Sequence, residues 1–145
     1  MSETILIIDD ESNLRKTLAE ILRKRGYATL EAGDGAEALN LLRDAIPELI
    51  FSDWKMPKLG GEELLRHIRN DRQLASIPVI VITAFGSSHS AIEAVRLGAY
   101  DFVTKPFDLE EIALTAKRAL AHASLNRELT ELKAHVATGS APGAG

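Results

Sequence analysis

The sequence predicts an α/β fold built on a doubly wound, five-stranded parallel sheet. Short apolar runs alternate with amphipathic helical segments five times along the 145 residues. Parallel strands need crossover connections of this kind, so helices should cover both faces of the sheet. Crossovers are right-handed almost without exception, which leaves few strand orders. The natural order for five strands is 2-1-3-4-5, whose ligand-binding switch point lies between strands one and three.

The predicted strands are short runs of apolar, largely β-branched residues, which is typical of strands buried on both faces. Helical spacing of apolar residues follows each of them, and a glycine or proline ends three of these helices, at Gly26, Pro47 and Gly98. We predict strands at 5–8, 28–31, 49–52, 79–82 and 101–103, with helices over about 12–25, 34–45, around 64–68, over about 90–97 and from about 109.

The last helix changes character along its length. Its first part has an apolar spacing suited to docking on the domain, whereas Leu125, Leu129, Leu132 and Val136 follow a four-three-four spacing between charged residues. Two heptads are short for an independent coiled coil. The segment is therefore either a dimerising linker or a helix that merely overruns the domain. We predict a domain over 1–122, a helical extension over 123–136 and a flexible, small-residue tail over 137–145.

Composition excludes several classes of protein. A net charge of −4 argues against a dedicated nucleic-acid surface, which usually carries a basic excess. The absence of cysteine excludes disulfides and thiolate metal sites. Apolar runs are too short to span a bilayer, and the N-terminus lacks the layout of a signal peptide. We therefore expect a cytoplasmic protein that contacts neither membrane nor, through this domain, nucleic acid.

Polar side chains follow four of the strands at the point where each strand ends. Asp9 and Asp10 come after the first strand and Asp53 after the third, while Thr83 and Lys105 follow the fourth and fifth. An unpaired carboxylate is costly to bury, so we expect these acids to lie on a rim and not in the core. Because ligands gather at the carboxyl ends of the strands, the side chains should form one site.

The residue types in this set indicate phosphoryl chemistry. Neighbouring carboxylates raise each other's pKa, and a hard divalent cation removes that cost. Mg²⁺ prefers oxygen ligands and commonly combines carboxylates with phosphate oxygens, so Asp9, Asp10 and Asp53 predict a Mg²⁺ site that receives a phosphoryl group. Lys105 offers a positive charge and Thr83 a hydroxyl to the phosphoryl oxygens. An aspartate can itself be the nucleophile and form an aspartyl-phosphate.

Four motifs in order give the chain a specific resemblance to a family. It resembles the receiver domains of two-component response regulators over about residues 5–121, and its fold is expected to be flavodoxin-like. The motifs are Ile8-Asp9-Asp10-Glu11, Ser52-Asp53-Trp54-Lys55-Met56-Pro57, Ile82-Thr83-Ala84 and Thr104-Lys105-Pro106-Phe107. Further similarity between Thr83 and Phe107 looks like receivers of the nitrogen-regulator class, which activate transcription with the alternative sigma factor.

The resemblance implies a role for each site residue. Asp53 would be the phosphoacceptor, taking its phosphoryl group from a phosphohistidine on a sensor histidine kinase. Asp10 and Asp53 would bind Mg²⁺ directly, the Lys55 backbone carbonyl would be a third ligand, and Asp9 would act mostly through water. Lys105 would pair with the phosphoryl group, and the peptide bond that follows it is expected to be cis.

The resemblance also implies a switch. Thr83 would move toward the phosphoryl oxygen and let Phe102 rotate inward, by packing alone since Phe102 lacks the phenol of the commoner tyrosine. The face of helix four, strand five and helix five would carry the output and control a transcriptional activator, and either that face or the C-terminal helix would form a homodimer. Phe85 would shield the acyl phosphate from water or be only a loop aromatic.

Two other functions fit the residues less well. A receiver-like interaction module that works without phosphorylation usually lacks one of the key residues, whereas this chain keeps them all. An aspartate-nucleophile phosphohydrolase needs a second aspartate two residues after the nucleophile, where this chain has Lys55. We therefore expect a phosphoacceptor that catalyses only its own phosphorylation and autodephosphorylation, and not a turnover enzyme.

Overall fold

The computed structural model describes residues 3–84 and 88–144, and within them five strands alternate with five helices. This confirms the predicted α/β class. The strands are β1 (Thr4–Ile8), β2 (Ala28–Ala32), β3 (Leu49–Asp53), β4 (Val79–Ala84) and β5 (Asp101–Lys105). The helices are α1 (Ser12–Lys24), α2 (Gly35–Asp44), α3 (Gly61–Asn70), α4 (Ser88–Arg96) and α5 (Leu109–Ala144).

The sheet has the predicted strand order, β2-β1-β3-β4-β5, and every pairing in it is parallel. All five carboxyl ends therefore lie along one edge. At that edge Ile8 pairs with Ser52, and Asp53 pairs with Ile82 on the next strand. The register places the acids that follow β1 and end β3 side by side, at the point where the strand order reverses.

Two apolar clusters cover the two faces of the sheet. Alternate residues of β1 divide between them: Ile5 and Ile7 contribute to the cluster formed with α1 and α5, and Leu6 and Ile8 to the cluster formed with α2 and α3. All four side chains are fully buried. A strand with both faces covered has no polar face, which explains why β1 reads as a continuous apolar run.

Strands β4 and β5 are longer than their predicted counterparts. Each continues two residues further, so Thr83 and Lys105 lie within their strands and do not follow them. Thr83 pairs with Thr104, and Ala84 with Lys105. Because the ladder bonds backbone groups and not side chains, polar residues join it as readily as apolar ones, and apolar pattern alone ends the strands too early.

Helix α5 begins where the sequence predicted and continues past the predicted end at residue 136. Its first part docks through Ile112, Ala116 and Ala119, which are fully buried. Beyond them Leu125 and Leu129 are exposed. Continuing a helix adds one bond per residue without a new nucleus, so the loss of apolar spacing does not by itself end it. The functional division into 1–122, 123–136 and 137–145 stays a prediction.

Candidate functional site

The carboxyl edge of the sheet brings the predicted acids together, at a different depth from that predicted. Asp9 is fully buried and Asp53 is 8% exposed, whereas Asp10 is exposed. The expectation that all three lie on a rim is therefore wrong for two of them. Partners meet part of the cost of burial that motivated it: a carboxylate oxygen of Asp9 accepts a hydrogen bond from the Glu11 amide at 2.9 Å, and a lysine lies close to both buried acids.

Lys105 is the cation that compensates the two buried carboxylates. Its Nζ lies 3.7 Å from Asp9 Oδ2 and 3.6 Å from Asp53 Oδ2. The Lys105 side chain is 30% exposed, so its ammonium group reaches the acids from the solvent side of the edge. The peptide bond from Lys105 to Pro106 is cis, as the resemblance implied.

One lysine does not offset the burial of two acids. Burial, with a smaller contribution from the Asp9 carboxylate, raises the pKa of Asp53 to about 6, although Lys105 opposes the shift. The pKa of Asp9 is raised as well, chiefly by burial, despite the Glu11 amide and Lys105. The site thus holds less positive charge than its ionised carboxylates need.

Two oxygens at this site are buried without a hydrogen-bond partner. They are Asp9 Oδ2 and Thr83 Oγ1, the buried polar atoms in that condition among the side chains that the structure describes. A polar atom that gives up water without gaining a partner costs about 1–3 kcal/mol. Such atoms are expected where a ligand or ion completes the site.

The donor set fits a magnesium ion. Carboxylate oxygens of Asp9, Asp10 and Asp53 lie within 4.8 Å of one another. Hard oxygen donors with net negative charge are what Mg²⁺ binds, and the partly exposed side of the site leaves room for the waters that it keeps. A divalent cation here would supply the charge that Lys105 alone does not.

A cavity of about 210 Å³ opens beside these groups. Asp53, Thr83 and Lys105 line one part of it, and Lys55 and Ser90 line another. Polar atoms from three strands, the loop after β3 and the first turn of α4 therefore face a common space large enough for a phosphoryl group. Phe102 lies on β5 with 39% of its surface exposed, pointing away from the core.

Sequence reasoning missed two contributors to the site. Arg15 of α1 donates a hydrogen bond to the Asp9 carbonyl at 2.8 Å, and its Nε lies 3.1 Å from a Glu31 carboxylate oxygen. It thereby fixes the segment that carries the acid pair. Ser90 was missed because nothing in the chain indicates that the start of α4 faces the site. For Arg15 the available signal was an arginine in the first turn of the helix that follows the acids.

Other expectations have separate outcomes. Trp54, in the loop that follows β3, is partly buried and packs against the apolar cluster beneath α2 and α3. Phe85 lies outside the described residues. Among the helices of residues 3–84 and 88–144, none combines the length and apolar character that a membrane crossing requires.

The fold and the site together define a class of protein: doubly wound α/β domains with a carboxylate-rich site at the switch point of the sheet. Comparison with known sequences identifies the family. The chain belongs to the response regulator receiver domain family, which it matches over residues 5–117. It is therefore a receiver domain of the two-component type, as its motifs indicated.

Three relatives illustrate the similarity. The chain is 38% identical to the regulatory protein AtoC of Escherichia coli over 134 residues, which are 92% of this chain and 29% of AtoC. It is 38% identical over 120 residues to the phosphate regulon transcriptional regulatory protein PhoB of Pseudomonas aeruginosa, covering 83% of this chain and 52% of PhoB. A crystal structure of NtrX from Brucella abortus superposes with a TM-score of 0.85 at 38% identity, covering 91% of this chain and 30% of NtrX.

These comparisons confirm the resemblance to regulators of transcription, with NtrX among the matches as the nitrogen-regulator likeness indicated. PhoB matches as well, so the similarity is shared beyond that class. The chain spans about a third to a half of the length of the curated relatives that it matches.

Proposed function

We propose that Asp53 accepts a phosphoryl group from a phosphohistidine of a sensor histidine kinase, with Mg²⁺ bound beside it. The observation that carries this proposal is a pair of buried oxygens without a hydrogen bond, Asp9 Oδ2 and Thr83 Oγ1, at the edge where Asp53 ends its strand. Phosphorylation and metal binding would give both atoms partners.

The acceptor step follows from the charges at the site. An ionised Asp53 carboxylate oxygen attacks phosphorus, the bond from phosphorus to the kinase imidazole nitrogen breaks, and its electron pair stays on that nitrogen. Asp53 must be ionised to attack, and its raised pKa means that the metal-free protein holds a protonated fraction near neutral pH. Lys105 stabilises negative charge on the transferring group from its position 3.6 Å from Asp53 Oδ2.

The metal ligands proposed are Asp9, Asp10, Asp53 and the backbone carbonyl of Lys55. Asp10 is exposed and Lys55 lines the cavity, so both are open to an ion that enters from solvent. When bound, Mg²⁺ would neutralise the carboxylates and the phosphoryl oxygens. Asp9, buried and already accepting one hydrogen bond, would act mostly through water.

The proposed switch couples the site to an output face. The Thr83 hydroxyl, buried without a partner, would turn toward the new phosphoryl oxygen. Thr83 lies two residues along β4 from Val81, whose register partner on β5 is Phe102. Movement at Thr83 would therefore open space beside the exposed Phe102 ring and let it rotate inward by packing alone.

The output face would be formed by α4, β5 and α5. It carries apolar side chains that are exposed in this structure, namely Ile92, Val95, Phe102 and Leu114. An exposed apolar patch of this kind marks a contact surface. A homodimer would form either through this face or through the exposed leucines of the α5 extension, and the rest of the regulator, a transcriptional activator, would respond.

The chain would not be a turnover enzyme. Two residues after Asp53 stands Lys55, where a phosphohydrolase of the aspartate-nucleophile type needs its acid-base aspartate. Phosphorylation and autodephosphorylation of its own Asp53 would be the reactions it catalyses. A kinase partner and an action in the cytoplasm go with this role.

Intact mass spectrometry after incubation with acetyl phosphate tests the proposal. The expected result is the added mass of one phosphoryl group with Mg²⁺ and no added mass when EDTA replaces it. Asp53→Asn should abolish the adduct. Asp44→Asn, at the exposed end of α2 on the opposite edge of the sheet, is the matched control and should be modified like the wild type.

Absence of an adduct on the folded wild-type protein at millimolar Mg²⁺ would contradict the phosphoacceptor role. If beryllofluoride also left the fluorescence of Trp54 unchanged, the phosphorylation-independent interaction module would become the better account of the domain.

A further inference from the structure

The loop between β3 and α3, residues 54–60, is held against the start of α2. The Gly35 amide donates a hydrogen bond to the Leu59 carbonyl at 3.1 Å, and the Gly61 amide donates one to the Trp54 carbonyl at 2.9 Å. The first amides of a helix have no partner within it, so Gly35, the first residue of α2, has a donor to give to the loop. The bond between Trp54 and Gly61 thereby joins the two ends of the loop, and the bond between Gly35 and Leu59 ties the loop to α2.

Gly35 permits this approach because it lacks a side chain. A Cβ at this position would overlap the Leu59 carbonyl oxygen and lie 2.7 Å from Leu59 Cβ. The φ of Gly35 is outside the left-handed region, so alanine meets no backbone strain there and has the better helix propensity. The atoms nearest to a side chain at Gly35 therefore all belong to Leu59.

Lys55 lies in the same short loop. The chain leaves the end of β3 at Asp53, passes Lys55 and reaches Leu59 before α3 begins at Gly61. Lys58 has a φ of 67°, an unusual conformation for a residue with a side chain, and its Nζ lies 3.8 Å from Asp34 Oδ2. A loop this short, with both ends fixed, transmits a shift at Leu59 to the other residues that it contains.

We propose that Gly35 is a positioning residue for the magnesium site: by letting Leu59 dock on α2, it sets the place of the Lys55 carbonyl. This inference rests on the proposed role of that carbonyl as a metal ligand. Gly35 contacts neither the metal site nor the phosphoryl group, and it acts through the loop. Changing a group that orients a metal ligand weakens metal affinity about 10–100-fold in other sites.

Gly35→Ala tests the proposal, with Gly33→Ala as its matched control. A Cβ at Gly33 meets nothing closer than 3.6 Å, in the same turn of the chain. The readout is fluorescence of Trp54, the single tryptophan, during titration with MgCl₂ and with CaCl₂. We expect Gly35→Ala to bind Mg²⁺ about tenfold more weakly than wild type. Gly33→Ala should stay within about twofold of wild type, since its new methyl group meets no obstacle.

The two cations separate positioning from simple destabilisation. Mg²⁺ demands near-ideal octahedral ligands, whereas Ca²⁺ accepts irregular geometry and longer bonds. A displaced carbonyl should therefore weaken Mg²⁺ binding more than Ca²⁺ binding. In Gly35→Ala the Mg²⁺ affinity divided by the Ca²⁺ affinity should fall below the wild-type value. A purely structural role would lower the melting temperature and leave that ratio unchanged.

The outcomes are distinguishable. Equal Mg²⁺ affinity in wild type, Gly33→Ala and Gly35→Ala overturns the positioning role and leaves the proposed function standing. Failure of the wild type to bind Mg²⁺ overturns both. If Gly35→Ala does not fold, amide hydrogen exchange on the wild type decides: Mg²⁺ should slow exchange at Gly35 and not at Gly33, and equal rates at Gly35 with and without Mg²⁺ overturn the proposal.

Discussion

The larger cavity lies at the amino edge of the sheet, whereas the charged and unsatisfied groups lie beside a smaller cavity at the carboxyl edge. The cavity at the amino edge, between α5 and the loops before β3 and β4, has a volume of about 550 Å³. The carboxyl-edge cavity beside Asp53 has about 210 Å³. Yet the smaller one holds the two buried carboxylates, their shared lysine and the unpartnered oxygens of Asp9 and Thr83.

Two polar side chains at the amino edge have hydrogen-bond partners within the protein. The Glu48 carboxylate accepts a hydrogen bond from the Thr4 amide at 2.6 Å, and Arg69 donates to the Ile77 carbonyl at 2.8 Å. The amino-edge cavity is the space left where α5 extends beyond the domain. At the carboxyl edge, by contrast, the carboxylates carry more negative charge than Lys105 can offset. A ligand site is better recognised by unsatisfied groups than by volume.

Removing Lys105 should have the largest effect on the reactivity of the carboxyl edge. Lys105→Ala takes away the cation that faces Asp53, so we expect acetyl-phosphate labelling to slow by about 10²–10³-fold, the usual cost of losing one charge-stabilising donor. Time courses by intact mass measure it, with Lys24→Ala on the exposed face of α1 as the control. Labelling of Lys105→Ala at the wild-type rate would contradict the role given to this side chain.

Neutralising the acceptor should stabilise the metal-free protein. Because burial raises the pKa of Asp53 to about 6, ionising it costs folding free energy above that pH. Asp53→Asn should therefore unfold at higher urea concentration at pH 8, by about 2 kcal/mol in free energy of unfolding. The difference in free energy of unfolding between Asp53→Asn and the wild type should decrease as the pH falls toward 4.5, where wild-type Asp53 is protonated. A destabilised Asp53→Asn at pH 8 would mean that the Lys105 pairing outweighs burial.

Magnesium affinity should depend on pH through the same group. Asp53 is largely ionised at pH 7.5 and largely protonated at pH 5, and the ion must displace that proton. We expect Mg²⁺ to bind about tenfold more weakly at pH 5 than at pH 7.5. Without metal, folding stability depends on pH in the opposite direction. The raised pKa of Asp53 stabilises the folded protein at low pH, and this contribution is lost as the pH rises through about 6. Calorimetric titration at both pH values measures the effect, and equal affinities would contradict it.

A change at the amino edge should have the smallest effect. Arg127→Ala alters the lining of the larger cavity, and we expect a change in stability within about 0.5 kcal/mol, with unaltered labelling of Asp53. Loss of labelling in this variant would show that the two edges are coupled and that the amino edge also contributes to the phosphoacceptor site.

The architecture and the polar residues at the carboxyl ends of the strands could be predicted from the sequence, because both depend on local pattern. Alternating apolar runs fix the strands, crossover geometry limits their order, and the last residues of parallel strands must meet at one edge. The depth at which each site residue is buried could not be predicted in this way. The burial of Asp9 depends on how far the segments after the other strands cover it, and its 3.7 Å contact with Lys105 joins residues far apart in the chain.

Contacts made by loops were also beyond the sequence. The hydrogen bond from Arg15 to the Asp9 carbonyl and the close approach of Gly35 to Leu59 depend on where helices settle on the sheet. The length of α5 could not be predicted for a different reason, because an exposed helix needs no apolar spacing and its end therefore leaves little pattern in the sequence.

The most direct test of the central claim is a crystal structure of the domain with Mg²⁺ and beryllofluoride, which stands in for the phosphoryl group. We expect beryllofluoride on Asp53, a hydrogen bond from Thr83 Oγ1 to one of its fluorines, and Asp9 Oδ2 joined to the metal through water. An ion bound elsewhere, with Asp9 Oδ2 and Thr83 Oγ1 still buried without partners, would contradict it.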